Sequence, residues 1–356
     1  MEIAKRLLPP SHRKDHPADE SKLTFGDKFT DHYFLMDYYD GAWRQPRIEP
    51  VAPISLSPAA MVLHYSQTIF EGMKCYRHPG DKLALFRPRD NFARLNQSAA
   101  RMSIPLIDEL FLLEALKELL RIEAGWTPSL PGASIYIRPT IIATEPHLGV
   151  RPAKEYLLFI LLSPVGSYYK EGFGPIKIYV EGFYSRAAPG GLGTIKAGAN
   201  YGASLLAAEK AAEKGFTQIL WLDSHEHRYV EEVGSMNMFF VIDGKVVTAG
   251  LTGTILPGVT RKSVITVAKE MGVEVEERKL AIEEILKARE TGHLTEAFGS
   301  GTAAVISPVG TMCYKDVEFT VADGQVGPVT KKIYDELMGV QYGRKPDTRG
   351  WVEYVD

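Results

Sequence analysis

The run Pro189–Ser204, PGGLGTIKAGANYGAS, sets the strongest limit on what this chain can fold into. It joins a β-type stretch, Ile176–Val180, to an alanine-rich helical stretch, Tyr201–Lys214, and a second β-type stretch follows at Gln218–Leu222. A strand, a long glycine loop, a helix and a strand in that order belong to an α/β architecture. The glycines let backbone approach a ligand closely, and one lysine, Lys196, stands among the small residues. Two phosphate-loop readings fail on spacing. A Walker A loop needs Gly-Lys followed by Ser or Thr, and Gly193–Gly198 runs instead into Ala199-Asn200. A dinucleotide fingerprint counted from Gly191 needs glycine where Lys196 stands. Taken alone, the run is also compatible with a surface loop carrying a solvated lysine.

The rest of the chain fits two domains. Its 356 residues exceed the usual span of one. The stretch Ser163–Pro175, SPVGSYYKEGFGP, concentrates Gly, Pro and aromatic residues and marks a change of rhythm. The expected division is a domain over 1–163, a connection over 164–175 and a second domain over 176–356. Before the break, residues 1–30 read as an irregular arm, with strands at Tyr33–Tyr39, Met73–Tyr76, Ser134–Ile142 and Tyr156–Leu162. Helices are expected over Asn91–Met102 and over Glu109–Ala124, the latter capped by Asp108 and ended by Gly125. After the break come strands at Tyr229–Val233 and Met236–Ile242 and helices at Val259–Met271, Ile282–Thr291 and Val329–Met338.

Charge narrows the partners. With 41 Lys+Arg against 44 Asp+Glu, the net charge of −3 gives no electrostatic case for nucleic acid or an anionic membrane. The longest apolar run, Tyr156–Leu162, falls far short of the ~20 residues that span a bilayer. The two cysteines, Cys75 and Cys313, form no CxxC pair, and the nine histidines form no metal-ligand set; His225 and His227 read as surface residues of a turn. A soluble protein of a reducing cytoplasm, with no apolar signal segment at its N-terminus, is the expectation.

A lysine in a glycine-lined cleft can act as a neutral nucleophile and form a Schiff base with an aldehyde. Pyridoxal 5′-phosphate (PLP) is the common biological aldehyde of that kind. It needs groups for its phosphate, an acid–base partner at the pyridine nitrogen and a donor near its phenolic oxygen. For the phosphate, LTGTILPGVTR (251–261) runs from a glycine turn into a helix start, with backbone N–H groups around Ile255, and SGTAA (300–304) is a second small-residue turn carrying Thr302. Arg94 lies off the apolar stripe Phe92, Leu95, Ala99, Met102, as a solvated arginine would. For the nitrogen, Glu231 and Glu232 point to opposite faces of one strand; one could face solvent while the other is buried against a cation, and alternation alone does not say which. Tyr201 follows the lysine closely enough to serve the phenolic oxygen. Tyr136 and Arg138 share one face of SIYIRPT (134–140), a pairing that suits a pocket for both apolar and carboxylate groups.

These segments together resemble the branched-chain-amino-acid aminotransferases, class IV enzymes of PLP fold type IV. The resemblance runs nearly end to end, through FTDH (29–32), LHYSQTIFEGMKCYR (63–77), YIRPTIIATEPHLGV (136–150), IKAGANYGAS (195–204), EEVGSMNMF (231–239), TGTILPGVTR (252–261) and FGSGTAAV (298–305). It implies an α/β fold with α+β character: a smaller N-terminal α+β domain and a larger domain with a barrel-like mixed sheet, at least dimeric. It implies that Lys196 carries the cofactor, that Glu232 faces the pyridine nitrogen and Tyr201 the phenolic oxygen. Arg94, the backbone at Thr254 and Ile255, and Thr302 would hold the phosphate. Thr302, Ala303 and Tyr65 would receive the substrate carboxylate. Phe25, Phe70, Tyr136, Arg138, Tyr168 and Ser235 would line the side-chain pocket, with Ser235 also at the cofactor and Leu148 and Val150 reaching in from a partner subunit. Mammalian members carry a redox CxxC just after the SGTA turn; Ala304 and Ser307 stand here, so no thiol switch is expected.

The implied reaction is amino transfer between L-leucine, L-isoleucine or L-valine and 2-oxoglutarate. A D-amino-acid aminotransferase or an aminodeoxychorismate lyase of the same fold is the nearest alternative. A nucleotide- or phosphate-binding regulatory protein that uses the glycine loops without catalysis, colourless and indifferent to Lys196, is the alternative from another class.

Overall fold

The computed structural model describes residues 1–166, 168 and 173–356. The chain forms two compact units: residues 1–168, 195–199 and 340–356 make the first, and residues 169–194 and 200–339 the second. A single break over 164–175 therefore does not describe the division, because two later segments pack with the first unit; residues 167 and 169–172 of that stretch lie outside the described residues.

In the first unit the strands are β1 (Ala4–Lys5), β2 (His32–Tyr39), β3 (Ala42–Pro50), β4 (Thr68–Phe70), β5 (Met73–Arg77), β6 (Leu83–Phe86), β7 (Ser134–Ala143) and β8 (Tyr156–Val165), and the C-terminal strand Val352–Tyr354 completes the sheet. Their order is β1-β3-β2-β8-β7-β5-β6 and the C-terminal strand, with β4 also on β7. Short helix α1 (Met61–Tyr65) and two longer ones, α2 (Pro88–Arg101) and α3 (Glu109–Ile122), accompany it. The β8 sequence is apolar from Tyr156 to Leu162 because both of its faces are covered. Leu158, Ile160 and Leu162 enter the main core with Phe92, Leu95, Leu116 and Leu119 of the helices, while Leu157 packs with Tyr33 and Leu35 on the other side.

Asp108 caps α3 as expected, its carboxylate accepting from Leu110 N and Phe111 N at 3.0 and 3.1 Å. The helix ends before Gly125, in a 3-10 turn over Ala124–Trp126. Helix α2 starts three residues ahead of expectation, with Pro88 in its first turn, where proline's missing N–H costs nothing. Strand β3 is hidden from a sequence reading because Pro46 interrupts it. The ladder to β2 shifts register there, and Gln45 takes a φ of 53°, a bulge that accommodates the proline.

The second unit holds β9 (Ile176–Glu181), α4 (Gly198–Glu213, entered from the first unit), β10 (Gln218–Leu222), β11 (Val230–Val233), β12 (Met236–Ile242), β13 (Lys245–Ala249), α5 (Val259–Glu270), β14 (Val275–Arg278), α6 (Ile282–Glu290), β15 (Leu294–Gly301), β16 (Val305–Tyr314), β17 (Val317–Thr320) and most of α7 (Pro328–Gln341). The ladder β11-β10-β9-β16-β15-β12 closes through β11–β12 pairing, giving a six-stranded barrel. Of β15 and β16 the sequence shows only the turn between them, since glycine, serine and proline dilute the apolar pattern of both strands. Ile178, Val180, Leu220, Leu222, Met238, Phe240 and Met312 form much of this unit's core.

One surface turn of the barrel has a measurable role. Asp223 accepts backbone N–H bonds from His225, Glu226, Arg228 and Tyr229 at 2.7–3.1 Å. Partial burial would raise its pKa, and these four donors together hold it down at about 2. A folded pKa below the unfolded value of 3.8 means stabilisation present above that value and lost as pH falls through about 2. Asp223→Ala is therefore expected to lower the melting temperature at neutral pH, with the difference from wild type shrinking in acid; calorimetry across that range checks it.

Candidate active site

Five residues expected around a substrate side chain come together in the first unit. Phe25 meets Tyr136 edge-on at 4.8 Å between centroids and Tyr168 at 5.1 Å. The Arg138 guanidinium lies 4.7 Å from the Phe70 ring centroid and 5.1 Å from that of Tyr136, and donates to the Tyr136 hydroxyl at 3.1 Å. Its Nε is buried without a partner among the described residues. Tyr136 fits because Gly72 faces it: a Cβ there would stand 2.1 Å from the Tyr136 hydroxyl oxygen.

Lys196 belongs to the same unit. Residues 195–199 run beside β4, with Ala197 bridged antiparallel to Ile69 and Phe70 N donating to Lys196 O at 3.0 Å. Lys196 N donates to Ser98 Oγ at 3.1 Å, and the ammonium stands 4.7 Å from the Phe70 ring centroid. Ser98 is the last member of a buried polar stripe on α2, Asn91-Arg94-Ser98. Arg94 is thus buried, contrary to its reading as a solvated residue, because α2 is covered on two faces. Its Nε and Nη2 donate to the two oxygens of Glu71 at 2.7 and 2.9 Å, and Asn91 Nδ2 adds a bond of 2.8 Å to the same carboxylate. Burial would raise the Glu71 pKa, but Arg94, Lys196 and Asn91 outweigh it and hold the carboxyl below its ordinary value. Glu71 and Ser98 are functional candidates that sequence reasoning misses.

Tyr65 ends α1 and donates its hydroxyl to Leu148 O. Leu148 and Val150 stand 64% and 84% exposed on the loop between β7 and β8.

In the second unit the two carboxylates of β11 are both buried, so neither takes the solvent-facing place that alternation left open to one of them. Each face of the strand is covered. Glu232 pairs with Arg186, Nε to Oε2 at 2.9 Å, and accepts from Leu256 N at 2.5 Å. Glu231, on the other face, accepts from the Thr254 hydroxyl. The 254–256 loop is thereby tied to both sides of one strand. Arg186 also donates to Thr254 O at 2.9 Å and Gly193 O at 3.3 Å. This arginine, in the loop after β9, gives no signal in the sequence, where it is a lone cation ahead of the glycines. Gly193 permits the packing, since its Cβ would lie 2.2 Å from Thr254 O.

Thr254 and Ile255 are buried ahead of α5, and Tyr201 lies in the first turns of α4. Ser235 is exposed in the tight β11–β12 turn, and Thr302 and Ala303 are half-buried in the turn between β15 and β16. Next to that turn, Ser300 Oγ is buried without a partner among the described residues. The first unit offers a primary amine and a buried guanidinium, and the second a buried carboxylate fixed by arginine and hydroxyl-bearing turns; by their chemistry these are the kinds of group that the aldehyde, phosphate and ring nitrogen of PLP require.

The class IV amino-transferase family matches residues 68–311. The chain is 53% identical to branched-chain-amino-acid aminotransferase 2 of Bacillus subtilis (strain 168), over 98% of this chain and 96% of that one. It is 46% identical to the branched-chain-amino-acid aminotransferase of Mycolicibacterium smegmatis, covering 92% and 91%. Among solved structures, the branched-chain amino acid aminotransferase of Escherichia coli superposes with a TM-score of 0.77 at 31% identity, covering 92% of this chain and all of that one. The branched-chain amino acid aminotransferase of Thermobaculum terrenum, solved in its PLP form, gives 0.73 at 26% identity, covering 91% and 98%. With the two-unit architecture and the closed barrel of fold type IV, the chain belongs to the class IV aminotransferases.

Proposed function

We propose that this protein is a PLP-dependent branched-chain-amino-acid transaminase, moving the amino group of L-leucine, L-isoleucine or L-valine to 2-oxoglutarate and releasing branched-chain 2-oxo acids and L-glutamate. The observation that carries the substrate choice is the Phe25, Phe70, Tyr136, Arg138, Tyr168 cluster, where aromatic walls surround a single guanidinium. An isobutyl group finds apolar surface there, and the side-chain carboxylate of glutamate finds a cation.

Bound PLP supplies a reactive aldehyde and an electron-accepting ring. Lys196 would hold that aldehyde, and its amine, when free, would serve as the base and then the acid that moves the substrate Cα proton. Glu232 keeps the ring nitrogen protonated, and Arg186 fixes the Glu232 carboxylate in place. Tyr201 donates to the phenolic oxygen. Arg94, the N–H groups of Thr254 and Ile255, and Thr302 hold the phosphate. Thr302, Ala303 and Tyr65 orient the substrate carboxylate, and Ser235 borders cofactor and pocket. The protein works as a cytoplasmic homodimer or larger assembly, with Leu148 and Val150 completing the partner's pocket. No helix among the described residues is long and apolar enough to cross a membrane.

Arg138→Ala tests the pocket. Losing a charge-assisted contact costs about 1.5–3 kcal/mol, so KM for glutamate and 2-oxoglutarate should rise about tenfold or more. KM for leucine should change far less; an equal rise for both substrates removes Arg138 from the role. The reaction is read from the visible spectrum of the holoprotein. L-leucine alone should convert its absorption band and 2-oxoglutarate restore it, whereas a response to D-amino acids only would keep the fold and discard the substrate.

A further inference from the structure

The transaminase reading gives no task to FTDH (29–32), although the family resemblance includes it. Three of its residues, Thr30, Asp31 and His32, are polar and buried. They meet Glu123, also buried, at the end of α3. Asp31 N donates to Glu123 Oε2 at 3.0 Å, and Trp126 Nε1 donates to Asp31 Oδ2 at 3.1 Å. His32 Nε2 accepts from Leu8 N at 2.8 Å, so its proton sits on Nδ1, which donates to Glu123 Oε1. Backbone and side chain of Asp31 are thus both fixed.

The other carboxylate oxygen, Asp31 Oδ1, accepts from Lys14 N at 2.9 Å. That bond brings together the two ends of residues 15–30. The Lys14 ammonium adds bonds to Phe29 O and Thr30 O at 3.1 and 3.0 Å. Between these ends the chain buries little, and of residues 15–29 only Leu23 is buried. At the far side Glu20 accepts from Ser129 N and Leu130 N at 2.9 and 2.7 Å. Polar anchors therefore hold this loop more than apolar packing does. Phe25 sits on it, meeting Tyr136 and Tyr168 edge-on in the pocket cluster. A loop with so little buried surface keeps a ring in place only while its ends are tied. We propose that Asp31 is a positioning residue for the substrate pocket: by accepting the Lys14 N–H it closes the loop and holds Phe25 against Tyr136.

A hydrogen bond to a charged, buried acceptor is among the stronger ones available to a loop. The residue that supplies the N–H is exposed, so the bond can be removed without touching the core. Arg13 already has a ψ of 149°, the extended conformation that a following proline requires. Lys14→Pro therefore deletes the donor at a compatible place. Lys14→Ala keeps the N–H and loses only the exposed ammonium.

The test is hydrogen exchange of the holoprotein, read by mass spectrometry, with steady-state kinetics on the same variants. Lys14→Pro should exchange the amides of residues 15–30 about tenfold faster than wild type, while unchanged protection of β7 shows the fold intact. Lys14→Ala should stay near wild type. KM for L-leucine should rise about threefold or more in Lys14→Pro with kcat little changed, because the ring is pocket wall. Phe25→Ala should also raise KM, and the double variant should go no further, since the latch acts through that ring. Unchanged exchange in Lys14→Pro, equal opening in Lys14→Ala, a wild-type KM in Lys14→Pro, or KM effects that multiply in the double variant each overturn the latch. The kinetic half rests on the transaminase reading. A wild type that leaves L-leucine untouched rejects that reading, whereas the exchange half tests the loop without substrate.

Discussion

Lys196→Ala should abolish amino transfer from L-leucine to 2-oxoglutarate, lowering the rate by about four orders of magnitude or more. General acid–base catalysis alone contributes up to about 10⁴-fold, and on the proposed mechanism the same amine would also be the covalent anchor for the aldehyde. The backbone argues that the variant still folds. Lys196 is held by main-chain atoms, through Ser98 Oγ, Phe70 N and the Ile69–Ala197 bridge, and alanine keeps all three. The fold loses the ammonium over Phe70, an interaction of about 0.5–1 kcal/mol at a partly exposed site, and with it one of the charges that favour the Glu71 carboxylate, whose direct bonds to Arg94 and Asn91 remain. Melting temperature should therefore stay close to wild type while turnover disappears. Added methylamine should return a measurable part of the rate by supplying the missing base in solution. Near-normal turnover without any lysine at this position would discard the mechanism.

The sequence speaks clearly wherever a pattern has one cause. The alternation in β7 pairs Tyr136 with Arg138, and the structure joins them by a hydrogen bond. The glycine run around Lys196 announces close packing, and Gly193 against Thr254 is an instance of it. Legibility fails where two surfaces compete for one element. On α2 the stripe Phe92, Leu95, Ala99 is legible by its apolarity, but Asn91, Arg94 and Ser98 repeat with the same helical period and are equally buried. A polar stripe on a helix normally means solvent, so only its partner, Glu71 on a different element, reveals it. The same limit applies to β11: alternation fixes opposite faces for Glu231 and Glu232 but cannot say that both faces are covered. Arg186 gives no signal at all, since a lone cation near a glycine loop acquires meaning only from the carboxylate it meets. Long-range pairs between charged residues decide much of this site, and no local period encodes them.

Glu71 tests whether such a pair holds the site together. Its side chain is fully buried, accepts two bonds from Arg94 and one from Asn91, and Arg94 itself is only 6% exposed. Removing one member of a buried pair leaves the other charge without compensation, which costs about 3–5 kcal/mol. Glu71→Ala should accordingly melt well below wild type at neutral pH. The sign of the pH dependence follows from the Glu71 pKa, which Arg94 and its neighbours hold below the ordinary value of 4.5. The pair then stabilises fully above that value, and its contribution fades as pH falls through the folded pKa, so the gap between variant and wild type narrows in acid. Replacing both partners with apolar residues should cost less than the two single changes added together, because neither charge is stranded. Cofactor retention gives an independent reading. If Arg94 holds the phosphate as proposed, unpinning its fork lets it turn away, and Glu71→Ala should lose PLP on dialysis faster than Glu71→Gln, whose amide oxygen can still accept one Arg94 bond. If Glu71→Ala melts with the wild type at neutral pH and keeps its cofactor as long, the pair neither supports the first unit nor positions Arg94.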